Sequence, residues 1–141
     1  SQRRGDVVHM GRQHVKDGWL RVRQQKTGKE LEIPVIPVLQ RIIDASPTGD
    51  LTFLVTDYGK PWSTAGFGNT FRKWCNAAGL PQCSAHGLRK AAAAELEGLG
   101  CTVHEIMAIT GHESVQEVER YTKAAEQKRL AKSAMGKLEG S

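Results

Sequence analysis

The clearest pattern in the chain is a pair of alternating segments. Gly18-Trp19-Leu20-Arg21-Val22-Arg23 alternates apolar and polar positions, the period of a half-buried strand, and Leu31 to Val35 alternates again. Lys26-Thr27-Gly28-Lys29 between them has turn chemistry, and Pro34 and Pro37 close the second segment. Together these predict a β-hairpin with its tip at Thr27-Gly28. Before it, Val7, Val8 and Met10 within Arg4 to Gln13 fit the end of a helix. After it come a helix over about Val38 to Ala45, a loop at Ser46-Pro47-Thr48-Gly49, and a short third strand or extended segment over Leu51 to Thr56.

The remainder reads as helical. Ser63 is placed to cap a helix running to about Ala78, despite Gly66 and Gly68 within it. Ser84 is placed to cap the next, with Leu88, Ala92 and Leu96 on one face. Thr102-Val103-His104-Glu105 and Ser114-Val115-Gln116-Glu117 both fit the capping box, in which two side chains satisfy orphan donors at a helix start. The helix that Ser114 starts is expected to end just before Tyr121, and a last helix to run from about Ala124 to Met135. In that last helix Leu130, Ala131, Ala134 and Met135 form a modest apolar stripe beside Lys128, Arg129 and Lys132. Such a helix either folds back on its own domain or docks on a neighbouring protomer. The predicted class is α+β, mainly α, with one small antiparallel sheet.

Composition narrows the picture. The 141 residues suit one domain with a real core. No apolar run approaches the roughly 18 residues that span a bilayer, so no membrane partner is expected. The net charge of +5 attracts polyanions, nucleic acid foremost, although many basic domains bind none. Cys75, Cys83 and Cys101 form no CxxC pair and leave one odd, which fits free thiols in a reducing cytoplasm better than a disulfide framework or a structural zinc. Ser1-Gln2-Arg3-Arg4 resembles the middle of a helix, so the chain is expected to be a fragment.

The candidate chemistry lies in His86-Gly87-Leu88-Arg89-Lys90, Thr110-Gly111-His112-Glu113-Ser114 and Glu119-Arg120-Tyr121-Thr122. Arg89 offers a planar fork for two phosphate oxygens, which a lysine lacks. His86, three residues earlier on the same helix, shares its face and donates to a further oxygen or moves a proton. Taken alone, His-x-x-Arg is also what a solvated helix face looks like, and His112 alone fits a capping or core histidine. Tyr121 supplies an oxygen nucleophile, but a phenol, with an ordinary pKa of about 10, needs help to lose its proton. The other tyrosine, Tyr58, lies in the turn-like Asp57-Tyr58-Gly59-Lys60-Pro61 and reads as structural.

Joined in order, His86-x-x-Arg89, His112 and then Tyr121 nine residues later resemble the catalytic domain of the tyrosine recombinase (phage integrase) family. The wording His86-Gly87-Leu88-Arg89, Ile109-Thr110-Gly111-His112 and Val118-Glu119-Arg120-Tyr121 is similar too. The resemblance implies a tyrosine recombinase catalytic domain over residues 1–141, with an N-terminal DNA-binding domain and the first part of the catalytic domain missing. It aligns a catalytic arginine with Arg3, because Asp6 then takes the supporting acidic position three residues on; Arg4 is the competing register. It also calls for a hairpin lysine, Lys26 or alternatively Lys29. In such enzymes the tyrosine becomes joined to a DNA 3′ phosphate, the lysine protonates the departing 5′ oxygen, and arginines and histidines hold the other oxygens. The implied catalytic set is Arg3, Lys26, His86, Arg89, His112 and Tyr121, with no cofactor and no metal. The sequence has no GxxxxGK[ST] loop and no compact carboxylate cluster. The implied partner is double-stranded DNA, with a homotetramer on paired sites for the full-length protein. The implied location is cytoplasmic, with the nucleoid of a bacterial or phage-bearing cell. Two other readings stay open: a type IB topoisomerase, and a DNA-binding prophage relic that no longer cleaves.

Overall fold

The alternating segments form the expected hairpin, in a computed structural model that describes residues 2–140. These divide into two compact units, residues 2–86 and residues 87 onward. In the first unit β1 (Val15–Lys16), β2 (Trp19–Arg23) and β3 (Glu30–Pro34) form an antiparallel sheet in that order. Trp19 stands opposite Pro34 and Arg23 opposite Glu30. Val22 and Leu31, also opposite one another, are buried, whereas Arg21, Arg23, Glu30 and Glu32 are exposed. The alternation therefore sorts the two faces as predicted.

The third strand is β1, not Leu51 to Thr56. Lys16 pairs with Trp19 across Asp17-Gly18, both at positive φ (52° and 80°), the geometry of a tight two-residue hairpin turn. The Leu51 to Thr56 segment spends its backbone groups elsewhere. Gly49 N donates to Thr52 O, Phe53 N donates to Met10 O at 2.8 Å, and Val55 makes an isolated bridge with Pro61. Arg4 to Gln13 is likewise only a single helical turn, α1 (Arg4–Val7), followed by a 3₁₀ turn at Arg12–His14.

α2 (Pro37–Ala45) starts with its proline at the first helical position, where no donor is lost. α3 (Thr64–Ala77) is capped as predicted, Ser63 Oγ accepting from Gly66 N at 3.0 Å. Its buried Phe67 lies edge-on to Trp62 and Trp74 and tilted against Phe71, with centroids 5.9–6.5 Å apart. Gly68 permits a close approach: a Cβ there would collide with the Arg4 guanidinium, which lies against that turn of α3. The three cysteines are free thiols, Cys75 buried and the others half-buried.

The second unit is built from α4 (Ala85–Gly98), which begins just before the division, α5 (Val103–Thr110) and α6 (Val115–Glu139). Its core is Ala93, Ile106 and Val118, all fully buried, with Leu96, Cys101, Val103, Met107 and Tyr121 packed around them. Thr102 makes both halves of its capping box with Glu105, at 3.1 Å each, and Ser114 Oγ accepts from Glu117 N at 3.3 Å.

Two expectations about these helices change. On α4 the buried stripe is Arg89, Ala93 and Glu97, one residue on from Leu88-Ala92-Leu96, and Leu88 is exposed. Apolarity pointed to the neighbouring row because the buried row carries two charged residues. The helix from Ser114 does not end before Tyr121 but runs without a break through the predicted last helix. Neither glycine nor proline lies between Tyr121 and Ala124 to stop it, and the buried Thr122 closes back onto Val118 O at 3.1 Å. Its final part does not fold back: Leu130 and Met135 are exposed, as are residues 131–140 throughout. Among the described residues no helix is long and apolar enough to cross a membrane.

One ion pair fastens this helix. Arg129 Nε donates to Glu97 Oε1 at 2.9 Å, with the Glu97 side chain 2 % exposed and that of Arg129 38 %. The hydrogen bond to Glu97, and then its charge, push the Arg129 pKa up from an already high value, so the pair does not come apart by deprotonation of the arginine. Removing one partner of a buried pair costs more than replacing both. Arg129→Ala should therefore lower the melting temperature clearly, while Glu97→Leu with Arg129→Met should recover most of the loss. Thermal melts followed by circular dichroism check this order.

Candidate active site

The second unit brings His112 and Tyr121 together. α5 stops at Gly111, whose φ of 74° and ψ of 13° place it in the left-handed region while its N–H donates to Met107 O at 2.8 Å. That reversal turns His112 inward to 6 % exposure. The Thr110 hydroxyl lies 2.6 Å from His112 Nδ1, and His112 N donates to the same oxygen at 3.4 Å. The one hydroxyl meets both the ring and the backbone of His112. The histidine is thus held in place by the residue two before it.

Tyr121 reaches the same place from α6. Its ring centroid is 5.8 Å from that of His112, at 49° between planes. Val118 and Thr122, on either side of it in the sequence, are buried, and Tyr121 is half-buried at the edge of their stripe. Lys90 Nζ lies 5.6 Å from the centre of the phenol ring, a cation over a π face. Sequence patterns give Lys90 no role. Its only signal is its place after Arg89, one residue around the helix from the buried stripe. Arg89 itself is 2 % exposed, an exceptional burial for a guanidinium. His86, a turn earlier on α4, is exposed, so the shared helix face of the two residues does not give them a shared environment.

The first unit holds the other candidates. Arg3 is the residue before α1, and its O accepts from Asp6 N and Val7 N at 2.9 and 3.0 Å. Arg3 Nη1 and Asp6 Oδ2 are buried and make no hydrogen bond among the described residues. Asp6 Oδ1 accepts from Gln25 N at 2.9 Å, which ties α1 to the hairpin turn beside Lys26. Lys26 is exposed in that turn and Lys29 is half-buried. Arg4 instead lines a cleft of about 470 Å³ with Gly68, Asn69, Arg72, Ser84, Ala85 and His86. Arg72 Nη1 donates to Pro81 O at 2.6 Å and Cys83 O at 2.9 Å, which fixes the loop leading to His86. Tyr58 is 90 % exposed in its turn, with no packed surroundings to prepare it for chemistry.

Residues 1–128 match the model of the phage integrase family. No curated protein sequence matches the chain. Among solved structures, the chain is similar to XerA recombinase, with a TM-score of 0.72 and 19% identity over 94% of this chain and 53% of that one. It is similar to a lambda integrase dimer bound to a COC′ core site, with a TM-score of 0.72 and 26% identity over 85% of this chain and 38% of that one. A lambda integrase tetramer bound to a Holliday junction gives a TM-score of 0.70 and 22% identity over 86% and 38%. The chain thus spans about half or less of the length of these structures.

The left-handed turn at Gly111 yields a direct test. Any other residue there meets the steric cost of that conformation, on the order of 1 kcal/mol for alanine. Gly111→Ala should reduce stability in urea by about that amount and loosen His112, seen as a shift of its ring resonances in NMR.

Proposed function

Because the chain belongs to the phage integrase family, we propose that it is the catalytic part of a site-specific DNA recombinase that cleaves and rejoins strands through a 3′-phosphotyrosine intermediate. The observation that carries this reading is the meeting of Tyr121 and His112 rings, 5.8 Å apart, on the packed core of the second unit. Tyr121 is the nucleophile. Its oxygen attacks the DNA phosphorus and the P–O5′ bond breaks. The freed 5′ oxygen takes a proton from the Lys26 ammonium, and the phenol proton passes to solvent. The energy of the broken bond is kept in the new ester, so rejoining needs no ATP.

The charge that builds on the nonbridging oxygens is met by Arg3, Arg89, His86 and His112. Fixed donors of this kind do their work by being in place beforehand. The burial of Arg89 and of Arg3 Nη1 supports that role, since a guanidinium held out of water is already desolvated when the phosphate arrives. Two arginines supply the positive charge a metal would otherwise bring, and the reading includes no metal. Asp6 supports the set from the side, through the hairpin. DNA is the substrate and, by analogy with the lambda integrase assemblies, the full-length protein works as a tetramer on paired sites, with the exposed end of α6 available to a neighbouring copy. Such a protein acts on cytoplasmic, nucleoid DNA.

In the full-length protein, Tyr121→Phe should abolish the denaturation-resistant protein–DNA adduct on a suicide substrate, and Tyr58→Phe should leave it intact. An adduct that persists in Tyr121→Phe contradicts the assignment. Arg89→Ala should slow cleavage by about two orders of magnitude or more, with a far smaller loss in DNA affinity, because one phosphate contact is a small share of an electrostatic interface. Arg89→Lys, which keeps the charge without the fork, should also cleave slowly. Parallel losses in binding and rate would make Arg89 a docking residue.

A further inference from the structure

The hairpin turn that presents Lys26 runs through residues 24–29, between Arg23 and its cross-strand partner Glu30. Exposed turns of this length are ordinarily mobile. This one is tied by side-chain hydrogen bonds, with the buried Gln24 at their centre and Thr27 Oγ1 accepting from Lys29 N at 3.2 Å. Gln24 has no exposed surface. Its Oε1 accepts from the Thr27 hydroxyl at 3.2 Å, and its Nε2 donates to Gln2 Oε1 at 3.0 Å. Its own backbone closes the turn: Gln24 N donates to Lys29 O at 2.9 Å and Gly28 N donates to Gln24 O at 2.7 Å.

The neighbouring residue is held from the other side, by Asp6 Oδ1 on Gln25 N. The two residues before Lys26 and the one after it are therefore all tied by hydrogen bonds, while Lys26 itself is exposed. A carboxamide out of water is costly unless its hydrogen bonds are made, and an aliphatic side chain would fill the space at lower cost. What the amide adds is direction. It joins the turn to itself through Thr27 and to the start of the chain through Gln2, immediately before Arg3.

We propose that Gln24 is the positioning residue for Lys26, its buried carboxamide holding the turn so that the ammonium is presented to the departing 5′ oxygen. The proposal rests on the reading of Lys26 as the proton donor in strand cleavage. Gln24 touches neither substrate nor reacting atoms in this account. It acts on the lysine through the shape of the turn.

The experiment compares adduct formation on two duplexes, one ordinary and one with sulfur in place of the bridging 5′ oxygen at the cleavage site. A thiolate leaves without being protonated, so the sulfur substrate bypasses the proton donor. Gln24→Met nearly keeps the volume and removes the amide's hydrogen bonds to Thr27 and Gln2. In the full-length protein it should lose about tenfold or more in rate on the oxygen substrate and cleave the sulfur substrate nearly as wild type does. Lys26→Ala should show the same selective loss, more strongly. Thr27→Val, at an exposed position that does not threaten folding, removes the hydroxyl that donates to Gln24 Oε1 and accepts from Lys29 N, and should show a smaller loss of the same kind. Equal losses on both substrates for Gln24→Met and Thr27→Val, or no loss, overturn the proposal while leaving the lysine reading intact. If Lys26→Ala lacks the sulfur-selective recovery, the lysine reading itself fails, and the proposal with it.

Discussion

The burial of Val118 against Ile106 and Ala93 is the contact on which the candidate site depends. It fixes the rotation of α6 about its axis, and that rotation decides where Tyr121 stands. With Val118 and Thr122 facing inward, a residue three positions after the first and one before the second falls at the edge of the buried stripe. The phenol is then packed on one side and open on the other. Because α6 continues through Tyr121 without a break, the side chain has no backbone hinge beside it in this state. The same Ile106 belongs to α5, whose end at Gly111 delivers His112 to the phenol. One small apolar cluster thus places both rings.

The chain buries charges in both units, which small domains do rarely. Each is answered differently. Glu97 is answered by Arg129, an ion pair that also pins the far half of α6 to α4. Asp6 gives one oxygen to the hairpin amide of Gln25. Arg89 is withdrawn almost fully from solvent in the same row of α4 as the apolar core residue Ala93. Breaking the Glu97–Arg129 pair from one side leaves a buried charge behind, so both partners are needed to keep α6 pinned.

Much of the fold was legible from local chemistry. The β2–β3 hairpin followed from alternation, and the Ser63, Thr102 and Ser114 caps followed from side chains that satisfy helix-start donors. Where reading failed, the cause was specific. The turn at Asp17-Gly18 has the residues of a tight hairpin, but the strand before it is only Val15–Lys16, too short to show a period. The end of the helix before Tyr121 was expected where nothing in the sequence stops it. The α4 stripe was misplaced by one residue because its inward positions are charged, and apolar pattern is blind to buried charge. The site residues were named from the spacing of His86, Arg89, His112 and Tyr121. Lys90 over the phenol and Gln24 under the hairpin were not, since a lysine on a helix and a glutamine in a turn look like ordinary surface residues until their surroundings are seen.

The central claim is that the phenol of Tyr121 is the group that becomes joined to DNA. The most direct measurement traps the full-length protein on a nicked suicide duplex, digests protein and DNA, and locates the nucleotide-bearing peptide by mass spectrometry. The account predicts a phosphodiester remnant on Tyr121. A remnant on Tyr58 or on any residue other than Tyr121, or a protein that cleaves DNA and never carries one, contradicts it.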